Sequence, residues 1–184
     1  MALTESKMLP LGTKAPNFNL QDTISGTYYT LDDLRSDRAT VVMFICNHCP
    51  FVIHVFPEII RIAKEYKSKG VAFIAVSSND VENYPEDSPD KMSIVAKVLK
   101  FSFPYLYDKR QTMAKNYDAA CTPDFYVFDN EDKLTYRGRL DQSRPGNNIP
   151  LTGQDLRMAI NFTLEGKQIN PQYPSAGCNI KWSE

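Results

Sequence analysis

The sequence predicts an α/β fold built on a mixed sheet, and three observations predict it. Residues 41–45 form an unbroken apolar run of the length a fully buried strand needs. Val52, Val55, Phe56, Ile59, Ile62, Ala63 and Tyr66 then recur at helical spacing, giving a helix over about 47–69, and 71–76 is a second buried strand. Strand, helix and strand of this type imply a parallel, right-handed crossover. Residues 125–128 and 134–140, joined by the polar 129–132, read instead as an antiparallel hairpin.

The remaining elements follow in order. Residues 1–10 read as a loose arm, and 11–16 as a turn leading into a short strand at 18–20. Gly26 and 27–31 suggest a strand returning beside it, and 31–34 a helical turn over the sheet. Pro57 is expected to kink the long helix or break its ladder, and Gly70 to stop it. After the polar loop 79–89, Ser88 and Pro89 open a helix whose stripe is Met92, Val95, Ala96 and Leu99. Residues 104–107 are a short strand or extended link, and a helix is expected near 109–118. A loop at 141–150 precedes Thr152-x-x-Asp155, which resembles a capping box for a helix to about 165. Residues 171–184 form a tail carrying Cys178.

With 184 residues, one domain covering 1–184 is expected, with a core that needs no staples. A net charge of −1, from 21 basic and 22 acidic residues evenly mixed, offers no electrostatic case for nucleic acid or an anionic membrane surface. No apolar run approaches the ~18 residues that span a bilayer. The first residues lack a basic start followed by an apolar stretch, so a cytoplasmic address is expected. Four cysteines are too few for a disulfide scaffold in a chain this long, which favours catalytic or metal use.

Cys46-Asn47-His48-Cys49 places two thiols at C-x-x-C spacing where the buried strand becomes a helix, so both are expected on the first helical turn. A thiolate is the reactive form, and a thiol of pKa about 8.5 is only a few per cent ionised at neutrality. The helix start favours an anion by ~0.3–1 kcal/mol, or ~2 when partly buried, which supplies about one pKa unit. A further depression needs another group, and His48 between the thiols is the candidate. Protonated, it would stabilise a Cys46 thiolate and favour the reduced pair. Its plainer reading is an exposed residue at a helix start.

The order strand, C-x-x-C helix, strand, helix, Thr-Pro, hairpin, helix resembles the thioredoxin fold. Gly12-x-x-Ala15-Pro16-x-Phe18-x-Leu20 resembles the entry of its redoxin branch, which includes AhpC/TSA-type peroxiredoxins and TlpA-like thiol reductases. Together with 44–50, Cys121-Thr122-Pro123-Asp124 and Gly177-Cys178-Asn179-Ile180-Lys181-Trp182, the pattern looks like the peroxiredoxin-like 1 group over about 11–182. The resemblance implies a three-layer α/β/α thioredoxin-like arrangement with a central mixed sheet and an N-terminal β-hairpin extension. It also implies Cys46 as the attacking thiol, Cys49 as its resolving partner, and Thr122-Pro123 as a cis-proline element whose preceding backbone pairs with an extended substrate. An ordinary trans proline opening an edge strand is the alternative. A His directly before the second cysteine also occurs in strongly oxidising members of the fold.

Two departures qualify the resemblance. With Cys49 aligned to the peroxidatic cysteine, the positions seven and three before it are Val42 and Cys46, so the proline and the hydroxyl that orients peroxide are missing. The buried acid that thioredoxins place six residues before the first cysteine is here Thr40. Some other group or water must then accept a proton.

Three functions are therefore weighed. The first is a thiol–disulfide oxidoreductase acting on a protein or small-molecule disulfide or thiol, recharged by an unidentified reductant and needing no cofactor. The second is a peroxide-consuming enzyme with Cys49 as the reactive thiol, resolved by Cys46, Cys121 or Cys178. The third is a Sco-like copper carrier. It is disfavoured because His48 and His54 lie off a common helix face, and no metal ligand is assigned. Cys121 reads equally as a third redox thiol or a core residue, and Cys178 as a buried plug or a resolving thiol.

Overall fold

The computed structural model describes residues 3–183. Strands β1 (Leu3–Glu5), β2 (Asn19–Asp22) and β3 (Tyr28–Thr30) lead into the short helix α1 (Leu31–Leu34). Then come β4 (Ala39–Phe44), α2 (Pro50–Lys67), β5 (Val71–Ser77), a 3-10 turn (Pro85–Asp87), α3 (Pro89–Val98) and β6 (Tyr105–Tyr107). The chain closes with α4 (Thr112–Asn116), β7 (Cys121–Thr122), β8 (Asp124–Phe128), β9 (Leu134–Gly138), α5 (Gln154–Leu164) and β10 (Ala176–Asn179).

Seven strands form one sheet in the order β3-β2-β6-β5-β4-β8-β9. β4 pairs in parallel with β5, and β5 with β6, while β4–β8, β8–β9, β2–β3 and β2–β6 are antiparallel. The sheet is mixed, as the crossover and the hairpin predict. β4 lies inside it, between β5 and β8, with every residue buried. Because side chains alternate across a strand, Val41 and Met43 join the core under α2, α3 and α5, whereas Val42 and Phe44 face Met113, Ala114 and Tyr117 on the other side. Three layers result, with β2 and β3 as an N-terminal hairpin on one edge.

Several expectations are corrected. α2 continues as one helix through Pro57. The capping box at Thr152 is not made; Gly153 caps α5 in the left-handed region, and the Asp141 carboxylate accepts the N–H groups of Thr152 and Gly153 at 2.7 and 2.6 Å. Of the supposed loose arm, residues 1 and 2 lie outside the described residues, but Leu3–Glu5 is a strand. The tail, whose Glu184 also lies outside them, supplies β10. β10 is the middle of a second sheet, β1-β10-β7. Ser6 locks this corner: its N–H donates to Ser175 O at 2.9 Å and its hydroxyl to Asp124 Oδ1 at 2.7 Å. Among the described residues no helix is long and apolar enough to cross a membrane.

Candidate active site

The chain leaves the sheet just after Ile45, whose N–H still donates to Val76 O at 2.9 Å. Cys46 therefore sits in the connecting loop, and Cys49 caps α2 with an extended ψ of 122° while Pro50 takes the first helical position. Only Cys49 occupies the helix start where both thiols were expected. The N–H groups of Val52 and Ile53 are held at its carbonyl, 3.0 and 2.9 Å away.

The loop between the cysteines is pinned from the side. Asp87, fully buried, accepts the Asn47 N–H at 2.7 Å and the Asn79 amide at 2.7 Å. His48 brings Nδ1 to 2.7 Å from Asp87 Oδ2 and stacks on Tyr84 with ring centres 5.7 Å apart. Asn47 is also held by Tyr105, whose hydroxyl donates to Asn47 Oδ1 at 3.1 Å. The Cys46 sulfur, a His48 ring nitrogen and an Asp87 oxygen all lie within 4.8 Å of one another. Such a set has the composition of a metal site. Here the carboxylate already takes two N–H donors, and the imidazole lies against it as a 2.7 Å contact without hydrogen-bond geometry.

Peptide Thr122–Pro123 is cis and faces the pair. Thr122 Oγ1 lies 3.6 Å from Cys46 Sγ, and Thr122 O lies 3.3 Å from Cys49 Sγ. The backbone edge expected to receive substrate is already paired: Cys178 stands opposite Thr122, and Asn179 opposite Cys121, in the β10–β7 ladder. This brings Cys178 to Cys49, onto whose sulfur both the Cys178 thiol and its backbone N–H donate. Cys46, Cys49 and Cys178 thus form one cluster, only 1, 0 and 4 % exposed. Cys121 stands apart, its thiol directed at Pro123 O and Ser175 O at 3.8 and 3.9 Å, and burial holds that thiol far above its usual range.

These contacts reverse the expected order of acidity. The Cys46 thiol donates to Cys49, and with the Cys178 thiol and the N–H groups of Val52 and Cys178 it lowers Cys49 to about 5, against the cost of burial. As a thiol, Cys49 donates to Thr122 O at 3.3 Å, a bond that its ionisation gives up. Cys46 is pushed well above its usual range, first by its hydrogen bond to Cys49, then by burial and by the negative Asp87. His48 is directed at the Asp87 carboxylate, 2.7 Å away. Sequence reasoning missed Asp87 and the reach of Cys178. His54, the other histidine, holds Ser143 Oγ at 2.8 Å, away from the cluster.

Fold and site together define a thioredoxin-fold protein with a dithiol centre. The AhpC/TSA family model matches residues 11–137, and the chain belongs to that family. It is similar to an uncharacterized conserved protein of Geobacillus kaustophilus, with 56% identity and a TM-score of 0.97 over 100% of this chain and 97% of that one. It is also similar to a hypothetical protein of Sinorhizobium meliloti 1021, with 42% identity and a TM-score of 0.95 over 98% of each chain. A thiol:disulfide interchange protein of the thioredoxin family from Chlorobium tepidum shares the fold at 16% identity, with a TM-score of 0.64 over 83% of this chain and 97% of that one. No curated protein matches the sequence.

Proposed function

We propose that this protein is a thiol–disulfide oxidoreductase in which Cys49 attacks and Cys46 resolves. The Cys49 thiolate forms a bond to one sulfur of a substrate disulfide, and the other sulfur leaves as a thiolate that takes up a proton. Cys46 then attacks the Cys49 sulfur of the mixed disulfide. The product is a Cys46–Cys49 disulfide and the second substrate thiol, and an outside dithiol reductant restores the pair. Resolution requires the proton of Cys46 to leave. The His48–Asp87 dyad is its acceptor, in the role that Thr40 cannot fill.

One observation carries this reading: the Cys49 sulfur sits at a helix start beside both the Cys46 and the Cys178 thiols. The test is trapping. With Cys178 also replaced by serine, Cys46→Ser is expected to hold Cys49 in a stable mixed disulfide with substrate, and Cys49→Ser to hold none. Adducts on Cys46 in the Cys49→Ser variant, with none on Cys49 in the Cys46→Ser variant, would reverse the roles. Hydrogen peroxide is expected to oxidise Cys49 no faster than free cysteine, because position 46 carries a thiol in place of the orienting hydroxyl. A much faster reaction in stopped flow would favour the peroxidase reading.

A further inference from the structure

β10 has the position that an added substrate strand takes in recognition by β-strand addition: an extended segment on the free edge of β7, with alternate side chains facing the site. Cys178 is the side chain opposite Thr122, against Cys49. The approach is too close for a side chain on the preceding residue, since a Cβ on Gly177 would lie 2.0 Å from Thr122 O and 2.8 Å from its carbon. The strand is held on both sides. β1 pairs along its other edge, Ile180 N–H donates to Ala120 O at 3.1 Å, and Lys181 N–H to Asn79 Oδ1 at 2.9 Å. Asn79 in turn binds Asp87, so the strand and the dyad share one network.

We infer that β10 is a built-in substrate strand and that Cys178 is a second resolving thiol for Cys49, closing a Cys49–Cys178 disulfide beside the Cys46–Cys49 one. The inference rests on Cys49 being the attacking sulfur. With oxidised glutathione as the oxidant, the Cys49 thiolate breaks the glutathione disulfide, forms a Cys49–glutathione bond and releases one glutathione. Cys178 then attacks the Cys49 sulfur, and the second glutathione leaves carrying the proton of Cys178. Two protein thiols are oxidised and one disulfide is reduced to two thiols. The Cys178 thiol is pushed up to about 12 by burial and by its contact with the Cys49 anion, and the adduct removes that anion.

The test is a disulfide map after acid quench of the full chain oxidised with glutathione. In wild type, an early glutathione adduct on Cys49 that closes to a Cys46–Cys49 bond tests the underlying reading independently. In both Cys46→Ser and Cys46→Ala the expected product is a Cys49–Cys178 bond in most molecules, with the glutathione adduct transient. Adding Gly177→Ala, which cannot keep β10 on Thr122, is expected to leave the adduct unresolved. A persistent Cys49–glutathione adduct in both single variants, with wild type still closing Cys46–Cys49, would overturn the inference and leave the first reading standing. Failure of Cys49 to react in any of them would overturn both.

Discussion

Replacing Cys178 by alanine isolates one of the donors that hold the Cys49 anion. The variant loses the S–H contact but keeps the backbone N–H groups of residue 178 and Val52 and the Cys46 thiol. Hydrogen bonds to charged groups contribute about 1.5–3 kcal/mol, and a thiol is a weak donor, so the low end applies. At about 1.4 kcal/mol per unit, Cys49 is expected to rise from about 5 by roughly one unit. The ultraviolet absorbance of the thiolate, followed against pH in reduced wild type and Cys178→Ala, reads this directly. An unchanged titration would show that Cys178 does not support the anion, and the three-thiol cluster would lose its electrostatic basis.

Other consequences are equally specific. A Cys49 at about 5, against about 7 for the thioredoxin nucleophile, stabilises the reduced pair by about 2 kcal/mol at pH 7. The Cys46/Cys49 potential is then expected about 50 mV above the −270 mV of thioredoxin, and a value at or below thioredoxin's in glutathione buffers would refute it. His48→Ala is expected to slow resolution of the mixed disulfide by about 10²-fold while leaving the Cys49 titration in place. Equal rates in quench-flow would remove the dyad from proton transfer. Burial raises the Asp124 carboxyl to about 7, so the folded state holds a proton that the unfolded chain releases near 3.9. Its contribution is therefore full below about 4 and lost as pH rises through about 7, by up to about 1.4 kcal/mol per pH unit. Denaturant midpoints of Asp124→Asn should lack this fall relative to wild type, and parallel curves would contradict it.

What the sequence made legible follows the strength of local pattern. β4, α2 and β5 announce themselves because a strand buried on both faces and a long amphipathic helix leave unambiguous periodicities. β1 and β10 do not. They are three and four residues long, Ala-Gly-Cys-Asn has no strand propensity, and their pairing comes from segments far away in the chain. The thiol pair was legible, and the polarity proposed for it was not. Which sulfur ionises depends on the contact between Cys46 and Cys49, on where the helix begins and on Cys178, whereas the sequence suggested a helix start shared by both thiols and the neighbouring His48. Asp87 sits in a polar loop whose turn gives no sign that it folds under His48. Gly177 sits inside β10 with Thr122 O where its Cβ would be, the close backbone approach that a glycine within a strand often marks.

The most direct measurement is a site-resolved titration by nuclear magnetic resonance of the reduced protein labelled with carbon-13 at the cysteine Cβ atoms. Cys49 is predicted to ionise near pH 5 while Cys46 stays protonated through neutrality. Ionisation of Cys46 before Cys49 would contradict the account.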